Sequence, residues 1–242
     1  MFTPGHYHQA HALDPSHLAG LLAEMLPDVK KRHIVGCVLL MLAHEMRSHR
    51  RGGAIIVWTA NNKEDWEESI KIPHPLSRYQ GLAEHVRRLV AEASTDLDRD
   101  KVPADIWNYL AGRHSAINPE LLEQLMTVGR LTAVDGALLV SDNLEVIGYG
   151  AKITVKPPEN ASQPLVRKVP DVISGWIFDP EKHARNVSEL GGTRHQSACH
   201  LVTKHNNASV IVCSQDGPLS AMWFIPNGGR VVVLQQLEAM MD

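Results

Sequence analysis

The chain has 242 residues, with 24 Lys+Arg against 27 Asp+Glu, 14 His, 3 Cys and 44% apolar residues. That length fits one large domain or one domain with a helical flank, and average apolar and charged fractions exclude a disordered or collagen-like chain. A formal net charge of −3 excludes a bulk field for nucleic-acid polymers or anionic lipid but leaves room for a local basic cluster.

Residues 1–13 are rich in His and Ala without periodicity and read as a loose arm carrying His6, His8 and His11. Asp14-Pro15 offers an N-cap followed by proline at the first helical position, opening a helix that stops before Pro27. A second helix over 28–48 places Val29, Ile34, Val38, Leu42 and Met46 on one stripe. Arg50-Arg51-Gly52-Gly53 breaks that pattern, and the β-branched run at 54–58 reads as a buried strand. The polar stretch 61–77, with its prolines, reads as loop, and 79–94 as an amphipathic helix. The charged run 95–101 is a solvated connection. Asn118-Pro119-Glu120 carries the cap and N1-proline signature of a helix through Leu121, Leu122, Leu125 and Met126.

Beyond Gly129 the texture changes to strands. Segments 137–140 and 145–148 form a hairpin around Ser141-Asp142-Asn143, and 153–155 extends its second strand. Residues 156–170 are proline-rich and irregular, and a helix enters over 190–199. Strands at 209–213, 219–224 and 230–234 complete the sheet. The predicted class is α/β, a mixed central sheet flanked by helices with an N-terminal helical extension, divided as 1–48 and 49–242. The five tryptophans, Trp58, Trp66, Trp107, Trp176 and Trp223, are assigned to packing.

Cys37, Cys199 and Cys213 are odd in number and lack a CxxC pair, so they predict neither a disulfide framework nor a zinc knuckle. They point to a reducing, cytoplasmic setting. The N-terminus lacks a signal-peptide pattern, and the apolar run 34–43 is far short of the roughly 20 residues that span a bilayer.

Two segments hold residues that local structure does not demand. Asp135-Gly136-Ala137 puts a carboxylate at a strand mouth beside a glycine that leaves ligand approach open, an oxygen donor suited to Mg²⁺ or Mn²⁺ on nucleotide phosphates. Gly191-Gly192-Thr193-Arg194-His195-Gln196-Ser197 offers backbone N–H groups at a helix start, hydroxyls at Thr193 and Ser197, and a guanidinium fork at Arg194. It reads as a phosphate cradle, without the spacing of a Walker loop. A competing set is His195, Cys199, His200 and Cys213, in which no zinc spacing completes a site.

In order, with their flanking strands, these motifs resemble the diadenylate cyclase superfamily, which carries Asp-Gly-Ala on a strand and Gly-Thr-Arg-His-Arg downstream. The likeness covers about 50–224, with 58–115 divergent. It implies that each subunit binds one ATP and that two subunits meet face to face, as a homodimer or within a higher oligomer. The 3′-hydroxyl of each ATP would attack the α-phosphate of the other. It assigns metal binding and hydroxyl activation to Asp135, nucleotide lining to Gly136 and Ala137, and phosphate contacts to Gly192, Thr193, Arg194, His195 and Gln196. Ser214 and a second metal ligand, Asp216, follow from the turn Ser214-Gln215-Asp216-Gly217, which stands where the family has Ser-Glu-Glu-Thr-Gly. Gln196 and Gln215 depart from that pattern. They align the chain with a divergent branch of nucleotide sensors that bind a nucleotide or cyclic dinucleotide without turnover.

Overall fold

A computed structural model describes residues 32–59, 64–95, 117–155, 165–168, 184–215, 219–225, 230–235 and 237. The arm, the helix expected at 15–26, most of the 95–101 connection, Trp107, Trp176 and Asp216 lie outside these residues.

The first described element, α1 (Arg32–Ser48), enters the strand β1 (Gly53–Trp58). The stripe expected on α1 is exceeded, because Val35, Cys37, Leu39, Leu40, Met41 and Ala43 are also buried. Over residues 34–43 the helix is buried on all sides, as a core element is, and its last turns reach the surface. After a short helix, α2 (Glu64–Glu67), come β2 (Ile70–Lys71) and β3 (His74–Tyr79), followed by α3 (Gly81–Thr95). Strands therefore occupy the segment expected to be loop, and α3 starts two residues late. Both strands pair with β5 (Val146–Ile153) at one margin of the sheet. Pro73 and Pro75 are compatible with that place because an edge strand need not donate every N–H to a ladder.

The helix α4 (Pro119–Leu131) has the expected cap: Asn118 Oδ1 accepts from the N–H groups of Glu120 at 2.9 Å and Leu121 at 3.4 Å. Strand β4 (Ala137–Ser141) turns into β5 through a loop in which Leu144 adopts φ 62° while its side chain is buried. A short strand β6 (Leu165–Lys168) lies within the stretch expected to be irregular, and pairs parallel with β10 (Arg230–Gln235). The pairing partner organises it. No local pattern announces it. Strand β7 (Ala184–Arg185), a 3₁₀ turn, α5 (Thr193–Lys204), β8 (Ala208–Cys213) and β9 (Leu219–Ile225) complete the described chain.

The ten strands among the described residues form one mixed sheet, ordered β2-β5-β4-β1-β8-β9-β10-β6-β7 with β3 also on β5. Alternation along each strand divides the core between the two faces. On one, Ile55, Val57, Leu138 and Val140 pack with α1, α3 and α4. On the other, Ala54, Ile56, Ala137 and Leu139 pack with α5 through Ala198, Cys199, Leu201 and Val202. The mixed α/β class is as expected. Trp58 and Trp223 are buried and Trp66 packs against the α5-side core. No helix among the described residues is long and apolar enough to cross a membrane.

Candidate functional site

Strand direction brings the two motifs together. Because β1 and β4 run parallel while β5 is antiparallel to β4 and β8 to β1, the starts of β1 and β4 share a sheet end with the finishes of β5 and β8. Ala54 pairs with Ala137, and Ala137 with Ala151, so three alanines stand abreast on neighbouring strands. Short side chains leave space above this row. The first turns of α5 close it, giving a pocket of about 250 Å³ lined by Ala54, Ala137, Ala151, Asp135, Lys152, Thr193, Arg194 and Ser197, with Gly136 and Ile153.

Asp135, Gly136, Ala137, Thr193 and Arg194 thus line one pocket. Arg194 Nη2 lies 3.6 Å from Asp135 Oδ1, joining the two motifs directly. Asp135 is 87% exposed and its partner 39%, so the pair adds little to stability and is open to exchange for a ligand. The lining contains two cations, Lys152 and Arg194, against one carboxylate. With the hydroxyls of Thr193 and Ser197 and the positive end of the α5 dipole, that balance suits a phosphate.

Two glycines have a steric reason. Gly136 sits at φ 119°, and a Cβ there would come within 2.5 Å of the Gly150 carbonyl carbon. Gly52 sits at φ 67°, where a Cβ would meet Arg194 Nη1 at 2.5 Å and the Gln215 backbone nitrogen at 2.9 Å. Gly52 therefore makes room for the arginine. Gly192 differs: nothing lies within 4 Å of an added Cβ, and the α5 N-cap makes no side-chain capping bond.

The remaining expected residues that are described, Gly192, His195, Gln196 and Ser214, do not line this pocket. His195 is 2% exposed on the buried face of α5. Its Nδ1 lies 3.3 Å from Ser214 Oγ, while Nε2 is buried without a partner. Burial lowers its pKa below the usual imidazole value, so the ring is neutral near pH 7. Gln196 Nε2 donates to the Gly191 carbonyl at 2.9 Å, which ties it to the preceding turn. Ser214 lines a different cavity beside α1. Among the competing set, Cys199 is fully buried and its thiol is pushed up to about 11, chiefly by burial. No group of three or more His, Cys, Asp or Glu side chains that could hold a metal lies among the described residues.

Sequence reasoning missed Lys152, Ala54, Ala151 and Ile153 as lining residues, and the part of Gly52. One signal was present. Gly53-Ala54-Ile55-Ile56-Val57 and Gly136-Ala137-Leu138-Leu139-Val140 share a pattern, small-small then aliphatic, fitting parallel neighbours with equivalent ends.

No protein-family model and no curated protein matches the chain. Two of the solved structures that overlap with it illustrate the likeness. One, described as a hypothetical membrane spanning protein from Bacillus cereus, is 17% identical with a TM-score of 0.36, over 81% of this chain and 60% of the other. The chain thus spans about 60% of that protein's length. The other, a double-cysteine mutant of DacA from Staphylococcus aureus, is 12% identical with a TM-score of 0.39, over 84% of this chain and 85% of the other. Overlap at this level establishes neither a shared fold nor a shared activity.

Proposed function

We propose that the pocket at the head of β1, β4 and α5 binds an adenine nucleotide, ATP or a close relative, in the manner of a diadenylate cyclase domain. The supporting observation is the convergence of Asp135-Gly136-Ala137 and Thr193-Arg194 on one pocket, joined by the Arg194–Asp135 contact. Arg194, Lys152 and Thr193 would hold phosphate oxygens, and the alanine row would receive an apolar portion of the ligand. At about 250 Å³, the pocket lies just below the roughly 300–1,000 Å³ usual for small-molecule sites, so it grips part of one nucleotide and leaves the rest outside.

The donor set fits a metal that arrives with phosphates: Asp135 is the one carboxylate among the described lining residues, and Mg²⁺ would complete its shell with phosphate oxygens and water. Bound there, Mg²⁺ or Mn²⁺ would neutralise phosphate charge and ease ionisation of a nearby hydroxyl. In the cyclase reading, two subunits oppose their pockets as a homodimer or within a higher oligomer. Each 3′-hydroxyl attacks the α-phosphate of the opposite ATP, releasing pyrophosphate, so two ATP give cyclic diadenylate and two pyrophosphates. Asp135 is exposed, which supports a role toward a substrate held by the opposed subunit. ATP as substrate and three free, buried cysteines accord with a cytoplasmic setting.

A second reading, a nucleotide sensor, is favoured by Gln196. Its amide is committed to Gly191 and replaces a permanent cation of the family motif. Incubating the full chain with ATP and Mn²⁺, and following product and binding together, separates the readings. Cyclic diadenylate with pyrophosphate supports the enzyme; binding without product supports the sensor; absence of nucleotide binding contradicts both.

A further inference from the structure

A second pocket of about 370 Å³ opens between the end of α1 and the turn after β8. His44, Arg47, Ser48, Arg50, Ser214 and Gln215 line it, with no acidic side chain among the described lining residues. Arg47 has an ordinary explanation, since a cation in the last helical turn offsets the negative end of the helix. Arg50 does not. It follows the helix at φ 53°, with its N–H on the Arg47 carbonyl at 3.0 Å. That left-handed closing position is one where glycine is preferred and a side chain is disfavoured. The arginine there is exposed and lines a cavity shared with a second arginine.

We infer that this pocket is a separate subsite for a phosphate-bearing anion. A guanidinium fork offers paired N–H donors to phosphate oxygens; Arg50 brings one to this lining beside Arg47, and the Gln215 amide adds a neutral donor. Its volume lies within the usual small-ligand range and admits more than one phosphate group. The pocket also adjoins the first one. Gln215 lines it, and the backbone nitrogen of Gln215 and Arg194 Nη1 both stand against Gly52. The anion is thus either a free small phosphate compound or the phosphate tail of a nucleotide seated at Asp135. The inference rests on α1 and Arg50 and does not require the first pocket to bind anything.

Titration calorimetry of the full chain at low ionic strength, with pyrophosphate, AMP and ATP as probes, tests it. The decisive variant is Arg50→Gly, which removes the charge and suits the left-handed backbone, so its thermal midpoint should be no lower than that of the parent chain. Arg47→Gln is the companion. Pyrophosphate affinity is expected to fall about tenfold or more in each, as for loss of one charged phosphate contact. If ATP weakens in step while AMP is unchanged, the occupant is the nucleotide's own tail. If pyrophosphate weakens while both nucleotides are unchanged, it is a free anion. If AMP and ATP fail to bind but pyrophosphate binds through Arg50, the nucleotide reading falls and this one stands. Unchanged affinity for pyrophosphate and ATP in both variants, or no binding of either probe by the parent chain, overturns the inference.

Discussion

Arg194 and Asp135 hold each other across the pocket mouth at 3.6 Å, and what each does there is separable by substitution. Asp135→Asn keeps the shape of an exposed side chain, so stability should move by no more than about 0.5 kcal/mol. Affinity for ATP with Mn²⁺ should fall about tenfold or more through loss of the charged oxygen ligand. Calorimetry with and without the metal checks this, and equal affinity in the two proteins contradicts it. The glycines make a sharper pair. Gly136→Ala drives a methyl group into the Gly150 backbone at φ 119°, and should cost about 1–3 kcal/mol of stability in urea titrations. Gly192→Ala meets no protein atom within 4 Å. It should leave the urea midpoint nearly unchanged and weaken nucleotide binding, because the added methyl occupies the approach to the α5 start. A loss of stability in Gly192→Ala without a change in binding would contradict that assignment.

At the level of elements, local chemistry decides where some helices begin. Asn118 caps α4 through two backbone N–H groups, so Asn118→Ala should lower stability by about 1 kcal/mol, read as a shifted denaturation midpoint. An unchanged midpoint would show that packing of Leu121, Leu125 and Val128 alone holds that helix. The cap was legible in sequence because Asn-Pro-Glu states it within three residues. Strands β2 and β3 were not, since proline-bearing segments gain strand character only from pairing with β5. β6 was hidden for the same reason: its partner β10 lies far along the chain. In the site, Asp135, Gly136, Ala137, Thr193 and Arg194 were legible because each motif names its residues consecutively. Lys152 and Ala151 were not, because their place depends on the β4–β5 register. His195 shows the converse: the motif named it, but its position on α5 turns it toward the core and Ser214.

For the whole molecule, the surplus of histidines becomes a prediction about acid. His49, His85, His195 and His200 all have pKa values lowered in the fold, chiefly by burial. The unfolded chain, with imidazoles near 6.5, then binds more protons than the folded one as pH falls through that value. Stability is therefore fully present above about pH 6.5 and declines below it. Urea midpoints should be lower at pH 5.5 than at pH 7.5, and His195→Gln should flatten the difference; identical midpoints would contradict it. The same arrangement gives the molecule its functional character: helices bury both faces of a mixed sheet, and one sheet end gathers the small residues, the carboxylate and the cations. A crystal structure of the full chain with Mn²⁺ and a non-hydrolysable ATP analogue tests that claim most directly. The account predicts phosphate oxygens on Thr193 and Arg194, the metal on Asp135, and the Arg194–Asp135 contact opened to admit them. An analogue bound elsewhere, with that contact intact and the alanine row uncovered, would contradict it.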